Sequence, residues 1–274
     1  MPPDWELLQF SKAPDAGRCA FADRHAFRLE LSWRAVAGPP DLERMVSDYM
    51  SALEEKGMQE IVRRSHGEWR GGEGVVEGLR MTRYGGFLQA EACVVEAVFL
   101  WPDGRVAGLE ASVLDSIRVC PPTPAGYRIW QAFGMRMMAP ADATLQAAEI
   151  LPAHAEMRFA GKRRGSMAVF SRRGMVDAWL RATPGAWLAR WVRDKGADDG
   201  TSGERVVGTH RVAQWRGRAR ARGLRRSPAP CVAEAWICPG DGRLYSWLAV
   251  GVPFAAGADR LLACCSGLNM EMAD

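Results

Sequence analysis

The chain has 274 residues, of which 48% are apolar and 25% charged, with a formal net charge of +4. That apolar share excludes a disordered polypeptide, and the length admits one large core or two ordinary ones. No stretch approaches the ~18–20 apolar residues that cross a bilayer, and the start MPPDWELLQF lacks the basic and apolar runs of a secretory signal, so a cytoplasmic protein without membrane insertion is expected.

In chain order, WELLQF, GRCAFAD and FRLELSW read as short strands, and Pro39-Pro40 then breaks the chain. Asp41 is placed to cap a helix through DLERMVSDYMSALEEKG, whose Leu42, Met45, Tyr49 and Leu53 share a stripe and whose Gly57 stands at the C-terminal cap. Three strand-like stretches follow near 60–70, 74–83 and 88–100, with Gly71-Gly72-Glu73-Gly74 as a bulge or turn between them, and Pro102-Asp103-Gly104 turns the chain onward. The proline-dense CPPTPAG, residues 120–126, reads as a linker, and residues 127–154 as an extra hairpin. Beyond these lie a strand in MVDAWLR, a short helix carrying Trp187 and Trp191, a polar connection at 196–204, and a second meander turned by Gly240-Asp241-Gly242.

The chain also repeats itself. EACVVEAVFLWPDGR (91–105) returns as PCVAEAWICPGDGR (230–243), aligning Cys93 with Cys231, Glu96 with Glu234 and Asp103 with Asp241; WRGGEGVVEGLR (69–80) returns as WRGRARARGLR (215–225). An ordered series of matches implies duplication. The expected fold class is therefore α+β, in two repeated domains of antiparallel sheet with helices packed against it: 1–119, the linker 120–126, and 127–274.

The order of strand, apolar-striped helix, meander and turn, carried by FADRHAFRLELSW, DLERMVSDYMSALEEKG, the strands through WPDGR and the closing DSIRV, resembles the PsbP-like superfamily. That superfamily includes DcrB-like proteins and bacterial type VI secretion chaperones, which pair two such domains. The resemblance implies sheet-and-helix domains that work by binding another protein, as adaptors, assembly factors or chaperones.

No catalytic constellation is legible. The seven cysteines, Cys19, Cys93, Cys120, Cys231, Cys238, Cys264 and Cys265, show no CxxC spacing, and none of the four histidines stands three or four residues from another or from a cysteine pair. A zinc site would need distant segments, so neither metal nor cofactor is expected. His66 and His210 lack a serine, cysteine or acid at triad spacing and read as surface or strand-edge residues. Glu91 and Glu96 would face opposite sides of one strand, and Glu96 and Glu234 read as partly buried ion pairs with arginine.

Charge separates the halves: residues 1–118 hold 14 basic and 19 acidic side chains, residues 119–274 hold 22 and 13. The excess concentrates in WRGRARARGLRR, where Arg216, Arg218, Arg220 and Arg222 alternate with small residues and so project from one strand face. Together with Trp215, Arg225, Arg226 and the helical pair Trp187 and Trp191, they are the candidate binding residues. The reading is a non-enzymatic adaptor, assembly factor or chaperone for a protein with an acidic or apolar segment. A nucleic-acid-binding accessory protein using 215–226, and an enzyme or small-ligand binder with a site between the domains, are the alternatives.

Overall fold

Short runs of β-branched and aromatic residues, broken by Gly, Asp and Pro, set the strands of this chain. The computed structural model describes residues 1–2, 4–13, 15–55, 57–219, 228–252 and 261–265, and the chain divides into two units, Met1–Cys120 and Pro121–Asp274.

The first unit contains β1 (Glu6–Phe10), β2 (Ala16–Ala22), β3 (Phe27–Ala35), α1 (Leu42–Glu55), β4 (Gln59–His66), β5 (Trp69–Val76), β6 (Leu79–Leu88), β7 (Cys93–Trp101) and α2 (Ala107–Ser116). Its strands form one antiparallel sheet in the order β1-β2-β3-β7-β6-β5-β4. Asp41 starts α1 by accepting the Arg44 N–H through Oδ1 at 3.0 Å, and Gly57 ends the turn beyond it with φ +81°. The glycines of β5 are strand residues and not the turn their composition suggested. Gly72 lies beneath Met50 of α1, where a Cβ would approach to 3.2 Å, and Gly71 lies against the Arg83 carbonyl and the Tyr84 ring. The opposite sheet face carries Leu29, Tyr84, Phe99 and Trp101, and α2 covers it with Val113 and Leu114.

The second unit contains β8 (Tyr127–Ala132), β9 (Met135–Pro140), β10 (Thr144–Leu151), β11 (His154–Ala160), β12 (Met167–Arg173), α3 (Val176–Trp179), α4 (Pro184–Asp194), β13 (Ala197–Val207), β14 (His210–Ala219), β15 (Ala229–Ile237), β16 (Leu244–Val250) and β17 (Leu262–Ala263). Its large sheet runs β10-β11-β12-β16-β15-β14-β13, strand for strand the order of the first unit, and a small sheet runs β17-β9-β8. Thr183 caps α4 by accepting the Ala186 N–H, with Pro184 opening the helix. One sheet face packs Ala213, Trp215, Ala233, Ala235 and Leu248 beneath Leu188, Trp191 and Val192 of α4.

The expected α+β class does not stand. Strands hold 52% of the residues and helices 17%, so the architecture is mostly antiparallel β, closer to all-β. The strand content was underestimated where polar composition suggested loop: of residues 196–204, read as a connection, all but Gly196 belong to the edge strand β13, whose outer side needs no apolar residues. Helix MVDAWLR, read as a strand, holds only the one-turn α3.

Shared strand order also corrects the alignment of the repeat. Cys93 opens β7, whereas Cys231 lies in β15, the counterpart of β6; Asp103 precedes α2, whereas Asp241 lies between β15 and β16. The match at a single offset slid by one strand because the connections differ in length: Glu77-Gly78 joins β5 to β6, while residues 220–228 join β14 to β15. Hairpin ends give the true correspondence. His66 pairs with Trp69 across the β4–β5 turn and Val207 with His210 across the β13–β14 turn, so Trp69 corresponds to His210 and Trp215 to Gly74.

Candidate functional site

Side chains alternate along β14, so with Ala213 and Trp215 facing α4, His210 and Val212 point to the other face of the sheet. There the His210 imidazole meets three thiols. Its Nε2 lies 3.5 Å from Cys238 Sγ, 3.6 Å from Cys264 Sγ and 3.6 Å from Cys265 Sγ, and the two adjacent sulfurs are 3.7 Å apart. All four donor atoms fall within 4.8 Å of one another. His210 and Cys238 are each 1% exposed, Cys264 is half-buried and Cys265 reaches the surface. His210 is therefore not the surface histidine that its sequence context suggested.

Three separate elements bring this group together. His210 opens β14; Cys238 follows β15 at the CPGDG turn, closed by Gly242 N–H donating to the Cys238 carbonyl at 2.9 Å; Cys264 and Cys265 follow β17, which pairs with β9. Hydrogen-bond donors converge on the sulfurs. The Trp236 indole N–H reaches Cys264 Sγ at 3.2 Å, and backbone N–H groups of Gly240 and Asp241 point at Cys238. On the far side of the imidazole, Thr209 Oγ1 stands 3.5 Å from Nδ1. Burial pushes the Cys264 and Cys238 thiols up, partly opposed at Cys264 by the indole and at Cys238 by the backbone donors, so they are poor nucleophiles at neutral pH. Three thiols and one imidazole form a donor set for a soft or borderline metal ion.

The basic strand lies on the same β14. Arg216 and Arg218 are exposed and share the face of His210; among the described residues no carboxylate pairs with either. Arg220, Arg222, Arg225 and Arg226 lie outside the described residues. The aromatic part of the expected contact surface is corrected: Trp215 is 4% and Trp191 6% exposed, both packed in the core between α4 and the sheet. Gly200 and Gly217 make room for the Trp215 indole, and a Cβ on Gly217 would meet that ring at 2.5 Å. The small residues between the arginines thus serve a buried tryptophan as well as the strand. Trp187 is half-buried, stacked on Trp191 at 5.5 Å and edge-on to Trp179 at 6.3 Å.

Buried carboxylates occur in both units, each held by donors. Glu73 accepts from Arg64 at 2.7 Å and Arg80 at 2.6 Å, and Glu110 accepts from Arg105 at 2.6 Å and the Tyr84 hydroxyl at 2.7 Å. Glu234 accepts from Arg205 and Gln214, both at 2.7 Å, and from the Trp247 indole at 3.1 Å. Glu96 pairs with Arg83 at 2.6 Å, so both glutamates singled out from the sequence meet arginines, though on non-corresponding strands. His66 bonds Asp115 at 2.6 Å. With their oxygens occupied by fixed arginine and indole donors, these carboxylates are structural.

Sequence reasoning missed the histidine–cysteine cluster because spacing was its only criterion. His210 and Cys238 are 28 residues apart and His210 and Cys264 are 54 apart. The available signals were the Cys-Pro-Gly turn at 238–240, which aims backbone N–H groups at a sulfur, and the adjacent pair Cys264-Cys265.

No protein-family model matches the chain, and no curated protein matches it.

Proposed function

We propose that the chain is a non-enzymatic binding protein of two duplicated sheet units, which docks an acidic segment of a partner protein on the exposed face of β14. One contrast carries this reading. Arg64, Arg80, Arg83, Arg105 and Arg205 each meet a carboxylate at 2.6 or 2.7 Å, whereas Arg216 and Arg218 stand exposed with no such partner among the described residues. A face that leaves two aligned guanidinium groups in solvent is suited to carboxylates supplied from outside, with paired, fork-shaped hydrogen bonds. The resemblance to the PsbP-like superfamily, whose members largely act by binding proteins, points the same way.

The test replaces Arg216 and Arg218 together by Glu and titrates wild type and variant with a glutamate-rich peptide and with single-stranded RNA. Expected is peptide binding weakened at least a hundredfold by the double change, since each charge-assisted contact contributes about 1.5–3 kcal/mol, with an unchanged circular dichroism spectrum. Preference for RNA, with log affinity falling linearly in log salt, would replace this reading by nucleic-acid binding. Equal binding of the peptide by both proteins would return the row to a solvated strand face.

A further inference from the structure

We propose that His210, Cys238, Cys264 and Cys265 bind one zinc ion in a closed tetrahedral site that fastens the segment after β16 onto the large sheet of the second unit. The inference does not depend on what the basic strand binds.

Edge lengths carry the argument. With zinc–sulfur and zinc–nitrogen bonds of about 2.3 and 2.0–2.1 Å, a regular tetrahedron has sulfur–sulfur edges of about 3.8 Å and sulfur–nitrogen edges of about 3.5–3.6 Å. The observed distances are 3.7 Å between Cys264 and Cys265 and 3.5, 3.6 and 3.6 Å from Nε2 to the three sulfurs. These are four of the six edges, and the remaining two, from Cys238 to Cys264 and to Cys265, lie within 4.8 Å. Four protein donors around one ion leave no position for water or substrate, which makes the site structural and not hydrolytic. Three thiolates and a neutral imidazole fit zinc, which has no geometric preference of its own to oppose the tetrahedron. On binding, the three thiols release three protons, and the bound group carries a net charge of −1 that the Trp236 indole and the Gly240 and Asp241 N–H groups are placed to receive. With Nε2 given to the metal, Nδ1 would carry the ring proton, and Thr209 Oγ1 stands 3.5 Å from it.

Comparison of the two units shows what such a site replaces. At the position of His210 the first unit has Trp69, and at that of Cys238 it has Gly86, over which the Trp69 ring lies so closely that a Cβ would meet it at 2.6 Å. The first unit then covers this end with α2, whose Val113 and Leu114 join the core and whose following Ile117 packs at its edge, as does Trp69. In the second unit the same face, with Trp236, Trp247 and Tyr245, meets a segment whose described part is residues 261–265, with Leu261, Leu262 and Ala263 buried. Where the first unit uses a ten-residue helix, the second lays the small sheet β17-β9-β8 on this face, with Trp130 of β8 against Phe159 and with Met135 and Met137 of β9 buried. Its strand β17 is two residues long among the described residues, and a metal link from Cys264 and Cys265 to β14 and β15 ties the end of that strand to the large sheet.

The experiment measures metal in full-length protein purified with reductant and without chelator, then titrates chelated, reduced protein with cobalt(II). Expected are about one zinc per chain and, with cobalt, intense visible d–d bands and thiolate charge-transfer bands saturating at one equivalent, as four-coordinate sulfur-rich sites give. Alkylation mapped by mass spectrometry should find Cys265, which reaches the surface, protected in the zinc protein and reactive after chelation, with the exposed Cys120 reactive throughout. This readout needs no variant and remains decisive if Cys238→Ser or His210→Ala fails to fold. Cys264→Ser with Cys265→Ser should abolish the cobalt spectrum, while Cys93→Ala should leave it unchanged. The proposal is overturned if purified protein lacks stoichiometric zinc and gives no tetrahedral cobalt spectrum, if the doubly substituted protein keeps its metal, or if two of the three cysteines form a disulfide that persists under reductant.

Discussion

Glu73 shows how a single residue organises the first unit. It is 4% exposed, yet burial, which alone would raise its pKa, is outweighed by hydrogen bonds from Arg80 and Arg64 and by the charges of Arg64 and Arg105, which hold it below the usual carboxylate range. A depressed carboxylate pKa contributes stability that is present above the unfolded value and lost as pH falls through the folded one. The Glu73→Gln variant should therefore lose about 3 kcal/mol at neutral pH, because three guanidinium groups lose their shared anion, and the difference from wild type should shrink in acid. Urea denaturation of both proteins at pH 7 and pH 3 reads this. The half-exposed pair Glu96–Arg83 is the comparison, where Glu96→Gln should cost no more than about 1 kcal/mol. Glu73 was hidden in the sequence by its glycines: GGEG has the composition of a turn, and only the pairing with β6 shows that these glycines admit α1 on one face and the Tyr84 ring on the other.

Strands β13 and β14 show why elements were easier to read than their register. The alternation WRGRA predicts a strand with its arginines on one face, and β14 has Arg216 and Arg218 exposed as expected. The same alternation could not show that Trp215 turns inward onto Gly200 and Gly217 beneath α4. Gly217→Ala should destabilise the protein by about 1–3 kcal/mol through overpacking against the indole and against the Gly200 backbone, which a Cβ would meet at 2.6 Å, since its own φ is ordinary and only space is lacking. Gly203→Ala, on the edge strand with nothing within 4 Å of the added methyl, should be neutral or slightly stabilising. Thermal unfolding of the two variants separates them, and a neutral Gly217→Ala would mean that both the indole and the facing β13 backbone at Gly200 can move aside. Duplication was likewise visible in the sequence of elements and misaligned residue by residue, because the unequal connections after β5 and β14 shift the offset between one strand pair and the next.

At the scale of the whole chain, two units share a strand order but close their second sheet face differently, one with the apolar α2 and the other with the small sheet β17-β9-β8, whose strand β17 runs into a histidine–cysteine cluster. That difference was out of reach of spacing rules, because the ligands come from three segments that only the fold of the second unit brings together. It predicts an asymmetric response to metal removal. In calorimetry of the reduced full-length protein, a chelator should lower the transition of the second unit and leave that of the first in place, since Glu73, Glu110 and the α2 core contain none of the clustered ligands. If zinc contributes on the order of 5 kcal/mol net, a unit of this size should shift by roughly 10 °C or more. The Glu73→Gln variant assigns the transitions, because it should lower the one that the chelator leaves alone. Movement of both transitions by chelator would mean that the units unfold together, and movement of neither would remove zinc from the account of how the second unit is held.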